Sequence, residues 1–380
     1  MHRLTGPLGD GIVVGVDAHT DTHDAAALDQ QGRLLATATF SADTAGYRRL
    51  VDWIAAWGAL SAIGIESTGS YAAGLVRHLR ELGIEVLEVN QPHPHTRRRR
   101  GKNDSIDAES AARHVLAANR PVVAKDTAGV VEAIRQLRVA RDGAVKARTA
   151  ALNAIDGLTV TAPEALRVQL KTRKTTRGRA TLCARLRPDP TRLDEPLHAA
   201  KTALRSIGRR VAELDAEIKL LDAQLKPLVA QAAPATTSRI AVSTGHAGTL
   251  LVCAGQNIER LRHEASFAAL CGASPLPIAT GRSDRHRLNY GGNRDANRAL
   301  HMIAVCRLRC CAQTRAYAQR RTAEGKTKTE IIRCLKRYIA RELYHALLAD
   351  LTLASASPRR SGPILSITCG AGPIGRTIRS

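Results

Sequence analysis

The chain has 380 residues, 57 of them Lys or Arg against 34 Asp or Glu, for a formal net charge of +23. That length exceeds one ordinary core, and so positive a field favours nucleic acid or another polyanion over a small neutral substrate. No apolar run approaches the roughly 20 residues of a spanning helix and MHRLTGPLGDG lacks an apolar signal segment, so a cytoplasmic protein without a membrane partner is expected.

Aromatic residues make up only 3% of the chain, which argues against an RRM-type stacking platform and leaves phosphate contacts by arginine as the expected grip. IVVGVDAH (12–19) is a β-rich run ending in an acid; DAAALD (24–29), a QQGR turn and LLATATF (34–40) alternate as a hairpin. Residues 45–57 have helical spacing, AIGIE (62–66) is a short strand, 74–83 form a helix closed by Gly83, and 84–90 return as a strand. With a further helix over 104–118, the order βββαβαβα predicts an α/β RNase H-like domain over residues 1–125.

Residues 126–158 predict a long helix, and 161–196, basic and broken by Pro163, Pro188 and Pro190, a less regular connector. Leu204, Ile207, Val211, Leu214, Ile218, Leu221, Leu225 and Leu228 then form a heptad seam ended at Pro227. The spacing fits an internal antiparallel hairpin with 126–158 or a helix of another subunit, and the second is preferred. Residues 126–236 therefore read as long helices and a coiled coil with a basic connector, and 237–350 as a mostly α-helical, Gly-punctuated C-terminal domain. The Ser-, Gly- and Pro-rich 351–380 reads as a disordered tail. Within 282–341 there are 16 Lys and Arg against 4 acids, so this window alone carries +12. The eight cysteines show no CxxC pair and read as reduced thiols.

The acids carry the chemistry. Asp17 ends the first strand, Glu66 ends the fourth, and Asp104 and Asp107 open a helix directly after HPHTRRRRGKN. Singly, each is also an ordinary strand-end or first-turn acid, which the helix dipole welcomes. Jointly they differ, because the first and fourth strands of such a sheet are neighbours and a helix laid across them brings four carboxylates together. Their mutual repulsion is relieved by Mg2+, or Mn2+ in its place; two such ions about 4 Å apart clamp the attacking and leaving oxygens of a phosphodiester. Arg97, Arg98, Arg99, Arg100 and Lys102, directly ahead, suit the backbone being cut.

GVDAHTDTHDAA, GIESTGSY, EVNQPHPHTRRRRGKNDSIDAESAA, FAALCGASPLP and TGRSDRHRLNYGGNRDANRALH, in this order over about residues 1–350, resemble the DEDD transposases of the IS-one-ten insertion-sequence family. The resemblance implies a recombinase with a RuvC-like domain, a coiled coil and a C-terminal transposase domain. It makes Asp17, Glu66, Asp104 and Asp107 the four metal-binding acids of a bacterial enzyme. Several members are directed by a noncoding bridge RNA pairing with donor and target DNA, which implies those partners here and a dimer or tetramer as the assembly.

The family's C-terminal domain supplies a serine nucleophile from a Ser-Ser-Gly or Ser-Thr-Gly element. Here the matching stretch reads PIATGRSDRH, with Ala279 where that serine is expected, and an alanine cannot attack phosphorus. Three readings stay open: a nucleophile silenced at Ala279, Thr280 in its place, or Ser283. Arg282, Arg285, Arg287, Arg294 and Arg298 cluster around it and suit phosphate contacts, or a solvated basic loop before an amphipathic helix. In STGHAGTLLVCAG (243–255), His246 replaces a glycine of the family's hairpin element, and a lone loop histidine seldom binds metal. Alternatives to the recombinase are a RuvC-like nuclease using water and a catalytically silent RNA- and DNA-binding protein.

Overall fold

In the computed structural model, which describes residues 11–89, 104–117, 122–258, 261–280, 283–287 and 289–356, every residue of β1 (Ile12–Ala18) is buried. A strand is apolar throughout when both faces of its sheet are covered. The sheet has six strands in the order β3-β2-β1-β4-β5-β6. Antiparallel β1, β2 (Thr22–Leu28) and β3 (Leu34–Ser41) are the expected meander, and β4 (Leu60–Glu66) and β5 (Val86–Val89) add parallel to it. An unanticipated two-residue β6 (Val122–Val123) closes the edge antiparallel to β5.

Side-chain alternation assigns the two faces. Val14, Val16, Ile63 and Ile65 pack against Leu50 and Ile54 of α1 (Thr44–Trp57) and Leu75, Val76 and Leu79 of α2 (Ala73–Glu81). The alternate residues Val13 and Ala62, with Leu87 and Val89, meet Ala111, Ala112 and Val115 of α3 (Asp104–Ala117) on the opposite face. Helices on both faces of a mixed sheet in this order agree with the expected RNase H-like fold.

The described residues up to Thr127 form one compact unit and Ala128–Leu351 a second. In the second, α4 (Val130–Thr161) runs antiparallel to α7 (Pro196–Ala232); Arg141 Nε donates to Asp222 at 2.8 Å and Arg148 to Asp215 at 2.9 Å. Within the chain the heptad helix thus packs against α4, the internal antiparallel hairpin that its spacing also fits. Leu204, Val211, Ile218 and Leu225 are buried, while Ile207, Leu214, Leu221 and Leu228 are half-buried. Pro227 does not end the helix, which continues to Ala232; the proline is exposed, so the backbone bond it removes is lost on the solvent side.

The expected irregular connector is also corrected. It holds α5 (Glu164–Lys171) and α6 (Thr176–Cys183), whose Leu166, Leu170, Ala180 and Cys183 form a core with Ile155 and Leu204. Each large apolar side chain buried there contributes about 1.5–3 kcal/mol, enough to hold two-turn helices that would not persist alone.

At the other end of the α4–α7 pair, Ile134, Leu225 and Val229 enter a larger core. It is completed by α8 (Pro234–Thr237), α9 (Thr244–Ala254), α10 (Glu264–Leu270), α11 (Arg294–Cys310), α12 (Ala312–Ala323) and α13 (Lys328–Ala356). Between α10 and α11 lies a hairpin, β7 (Leu276–Thr280) and β8 (Ser283–Arg287), where the sequence pattern suggests a loop. Of the expected tail, Leu351–Ala356 are the end of α13 and 357–380 lie outside the described residues. All described cysteines are free, but only Cys183, Cys253 and Cys271 are buried and Cys310 is exposed. No helix among the described residues is long and apolar enough to cross a membrane.

Candidate active site and nucleic-acid interface

The register Val16↔Ile65 sets Asp17 and Glu66 one residue further along neighbouring strands, on the sheet face they share with Gly15 and Gly64. That is the face α3 covers. A Cβ on Gly15 would collide with the Ala108 carbonyl and the Ala112 amide, and one on Gly64 with Val115, so the two glycines let the helix backbone lie directly on the strands. Asp107, immediately before Ala108, is carried down onto the same face, and Asp104 opens the helix one turn earlier. Asp17, Glu66 and Asp107 are only 8%, 4% and 4% exposed.

After Glu66 the chain turns sharply. Ser67 adopts a left-handed φ of 54°, and its carbonyl accepts from the amides of Ser70 at 2.9 Å and Ala72 at 3.3 Å. The turn buries Thr68 and starts α2. His19, which the sequence does not single out, lies with Nε2 3.2 Å from Asp17 Oδ2; the available signal was the Asp-x-His spacing at the end of a strand.

Arg97, Arg98, Arg99, Arg100, Lys102 and Arg282 lie outside the described residues. In the second unit, the hairpin register pairs Ala279 with Asp284 and Thr280 with Ser283, placing all three candidate nucleophile positions at its turn end; Arg285 pairs with Ile278 and Arg287 with Leu276. Arg287 and Arg294 are exposed, as is Arg298, which stands 3.6 Å from Asp295. Asn293 caps α11, accepting from the Ala296 amide at 2.9 Å.

The base of the hairpin is anchored to α11 and α13. Asn297 Nδ2 donates to the carbonyls of Cys271 (3.0 Å) and Gly272 (2.9 Å), and its Oδ1 accepts from Lys336 Nζ at 2.7 Å. Lys336 is 5% exposed, and burial, reinforced by Arg333, lowers its pKa. His246 serves the fold rather than a metal. Ser243 Oγ accepts from its amide at 3.2 Å and its ring accepts from the Ser243 amide at 3.4 Å, a capping box at the start of α9.

Residues 14–161 match a DEDD transposase family of the IS110 type, and residues 222–319 match the transposase IS116/IS110/IS902 family. The two matches reach from the first strand of the sheet to the eighth residue of α12, and between them contain all four acids and the hairpin. This chain belongs to the IS110 family of transposases. No curated protein matches it. As an IS110-family transposase it is a DNA-recombining enzyme, and DEDD enzymes of this kind depend on a divalent metal.

The donors fit such an ion by their chemistry. Buried hard carboxylate oxygens suit Mg2+, which binds one or two carboxylates and keeps waters and substrate phosphate as its other ligands. Among the described residues no three His, Cys, Asp or Glu side chains gather closely enough to hold a metal ion by themselves; the side chain of Asp104 lies outside the described set.

Proposed function

We propose that this IS110-family transposase cuts and rejoins DNA strands under the direction of a noncoding bridge RNA, with donor and target DNA as substrates and a dimer or tetramer as the working assembly. The observation that carries the reading is that Asp17 and Glu66 lie buried on the sheet face that α3 covers, while α3 itself carries buried Asp107 and, one turn earlier, Asp104. These four acids hold Mg2+, or Mn2+; the bound metal supplies charge neutralisation at the phosphate and activation of the attacking oxygen. Arg97 to Arg100 and Lys102, directly ahead of the acids in the chain, take the strand backbone, and Arg282, Arg285, Arg287, Arg294 and Arg298 position a strand near the hairpin.

The attacking group belongs to the hairpin end. Its serine-type nucleophile falls at Ala279, and we assign this chain a silenced nucleophile there, ahead of Thr280 or Ser283 as the attacking hydroxyl, so that with Ala279 it binds RNA and DNA without completing the strand exchange for which the rest of the site is built. Ala279 also supports a second reading, a RuvC-like nuclease in which the acids activate water, because water needs no serine. If neither chemistry occurs, the chain is a silent RNA- and DNA-binding protein.

The test combines purified protein, its element's noncoding RNA and matched donor and target DNA in Mg2+, and scores covalent protein–DNA adducts and recombinant junctions. Activity confined to Ala279→Ser, and lost again when Asp17→Ala is added, is the expected result. Adducts already in the native chain move the nucleophile to Thr280 or Ser283, nicking without adducts selects water, and no chemistry in any variant refutes the recombinase.

A further inference from the structure

A concave cleft of about 800 Å³ opens within the second unit, between the loop after α10, the end of β8, and α12 and α13. Seven of its lining side chains are Lys or Arg and two are acidic. Both acids are already engaged: Glu264 answers Arg337 at 3.4 Å and Arg341 at 2.8 Å, and Glu330 accepts from the Thr327 amide and hydroxyl at 2.9 and 2.8 Å. The cleft therefore keeps a positive excess, drawn mostly from α12, α13 and the turn between them, with Arg287 the one hairpin arginine on its wall.

Its rim carries an unusual group for this aromatic-poor chain. Tyr338 is 58% exposed, and its ring meets Tyr317 edge-on at 5.7 Å and 79°, which holds it upright. Arg320 and Arg321 in turn lie 5.5 and 6.0 Å from the Tyr317 ring, stiffening the support. An upright exposed ring beside phosphate-gripping cations is the arrangement that stacks an unpaired base while holding its backbone. A duplex offers its base edges, not its base faces, to such a ring.

We propose that this cleft binds a single-stranded nucleic-acid segment, its phosphates taken by Lys326, Arg333 and their neighbours and one base stacked on Tyr338. The site rests on the proposed function only in that the chain handles nucleic acid. It adds a third contact region, on α12 and α13, to the arginine run ahead of the acids and the hairpin arginines. Both an unpaired part of a guide RNA and a displaced DNA strand offer this chemistry.

The experiment uses the full chain and measures fluorescence anisotropy of labelled RNA and DNA single strands of roughly 12 nucleotides, a length within the usual site sizes, across a salt series. Tyr338→Ala is expected to weaken binding at least about fivefold, with Tyr338→Phe within about twofold of the native chain. Lys326→Gln/Arg333→Gln is expected to lower the slope of log affinity against log salt by about 1.4. Binding of RNA alone identifies a guide segment, and binding of DNA alone a displaced strand; either upholds the site. Native affinity in Tyr338→Ala, an unchanged salt slope in the double variant, or a blunt duplex competing as well as a single strand overturns it. In the Ala279→Ser background, adding Asp17→Ala should end recombination while leaving this affinity unchanged, so the two readings fail separately.

Discussion

Gly15 and Gly64 are register partners on adjacent parallel strands, and together they make the floor on which α3 rests. The same two strands carry Asp17 and Glu66 two residues further on, so one pair of missing side chains sets the depth of the helix that brings in Asp107. Gly15→Ala puts a methyl against the backbone of Ala108 and Ala112, which cannot yield as a flexible side chain would. Overpacking of this kind costs about 1–3 kcal/mol. The expected result is a lower melting temperature and, in an Ala279→Ser background, a fall in strand exchange larger than the lost stability explains; exchange at the parent rate in a folded Gly15→Ala protein would falsify the link.

The carboxylates themselves are expected to behave in the opposite way. Removing one of several like charges at buried positions relieves repulsion, so Glu66→Gln and Asp107→Asn should melt no lower than the native chain, within about 1 kcal/mol. A ligand that binds only the folded state raises its stability, so Mg2+ should raise the native melting temperature and do so less in either variant. Strand cleavage in the Ala279→Ser background should fall at least about a hundredfold. Equal Mg2+ stabilisation of native and variant chains refutes the metal assignment without any appeal to activity.

Much of this site is legible in the order of the residues alone. Strand-end acids and a first-turn Asp-x-x-Asp are local signals, and the βββαβ order makes the first and fourth strands neighbours. What is not legible depends on contacts between distant residues. Gly15 and Gly64 look like ordinary strand glycines until a helix lies on both. The second strand of the hairpin, Ser283–Arg287, is too charged to show strand alternation, and Pro277 sits in its partner. In residues 164–183 the basic side chains conceal that Leu166 and Leu170 share a helical face, and only Ile155 and Leu204 supply the core that covers them. The heptad seam shows its spacing but not its partner, because α4 has weaker periodicity of its own.

His23 gives a prediction about pH. It is fully buried in β2, stacked on Tyr47 at 5.7 Å and 9°, and burial holds its imidazole below the ordinary 6.5. A depressed folded pKa means that the unfolded chain takes up the proton first. The stability contributed by neutral His23 is therefore present above about 6.5 and is lost as pH falls through the lower folded value. His23→Phe keeps a ring against Tyr47 and removes the titration, so its melting temperature should fall less than the native one between about pH 8 and pH 5. Parallel melting curves across that range would show that His23 does not titrate on unfolding.

The support under the hairpin can be tested by treating the two ends of one hydrogen bond differently. Lys336 is a buried cation whose ammonium donates to Asn297 Oδ1, while the Asn297 amide holds the carbonyls of Cys271 and Gly272 where the chain enters β7. Asn297→Ala leaves that cation buried without this acceptor and two carbonyls without their donor, a loss of about 3–5 kcal/mol. Lys336→Met removes the charge and fills the same space with an apolar chain, so it should cost less than about 1.5 kcal/mol, and combining the two changes should recover part of the loss from Asn297→Ala. Urea unfolding of the four proteins gives the coupling energy directly. Additive losses would mean that the bond does not anchor the hairpin, whereas a rescue by Lys336→Met makes the Asn297–Lys336 pair the foundation on which residue 279 is carried.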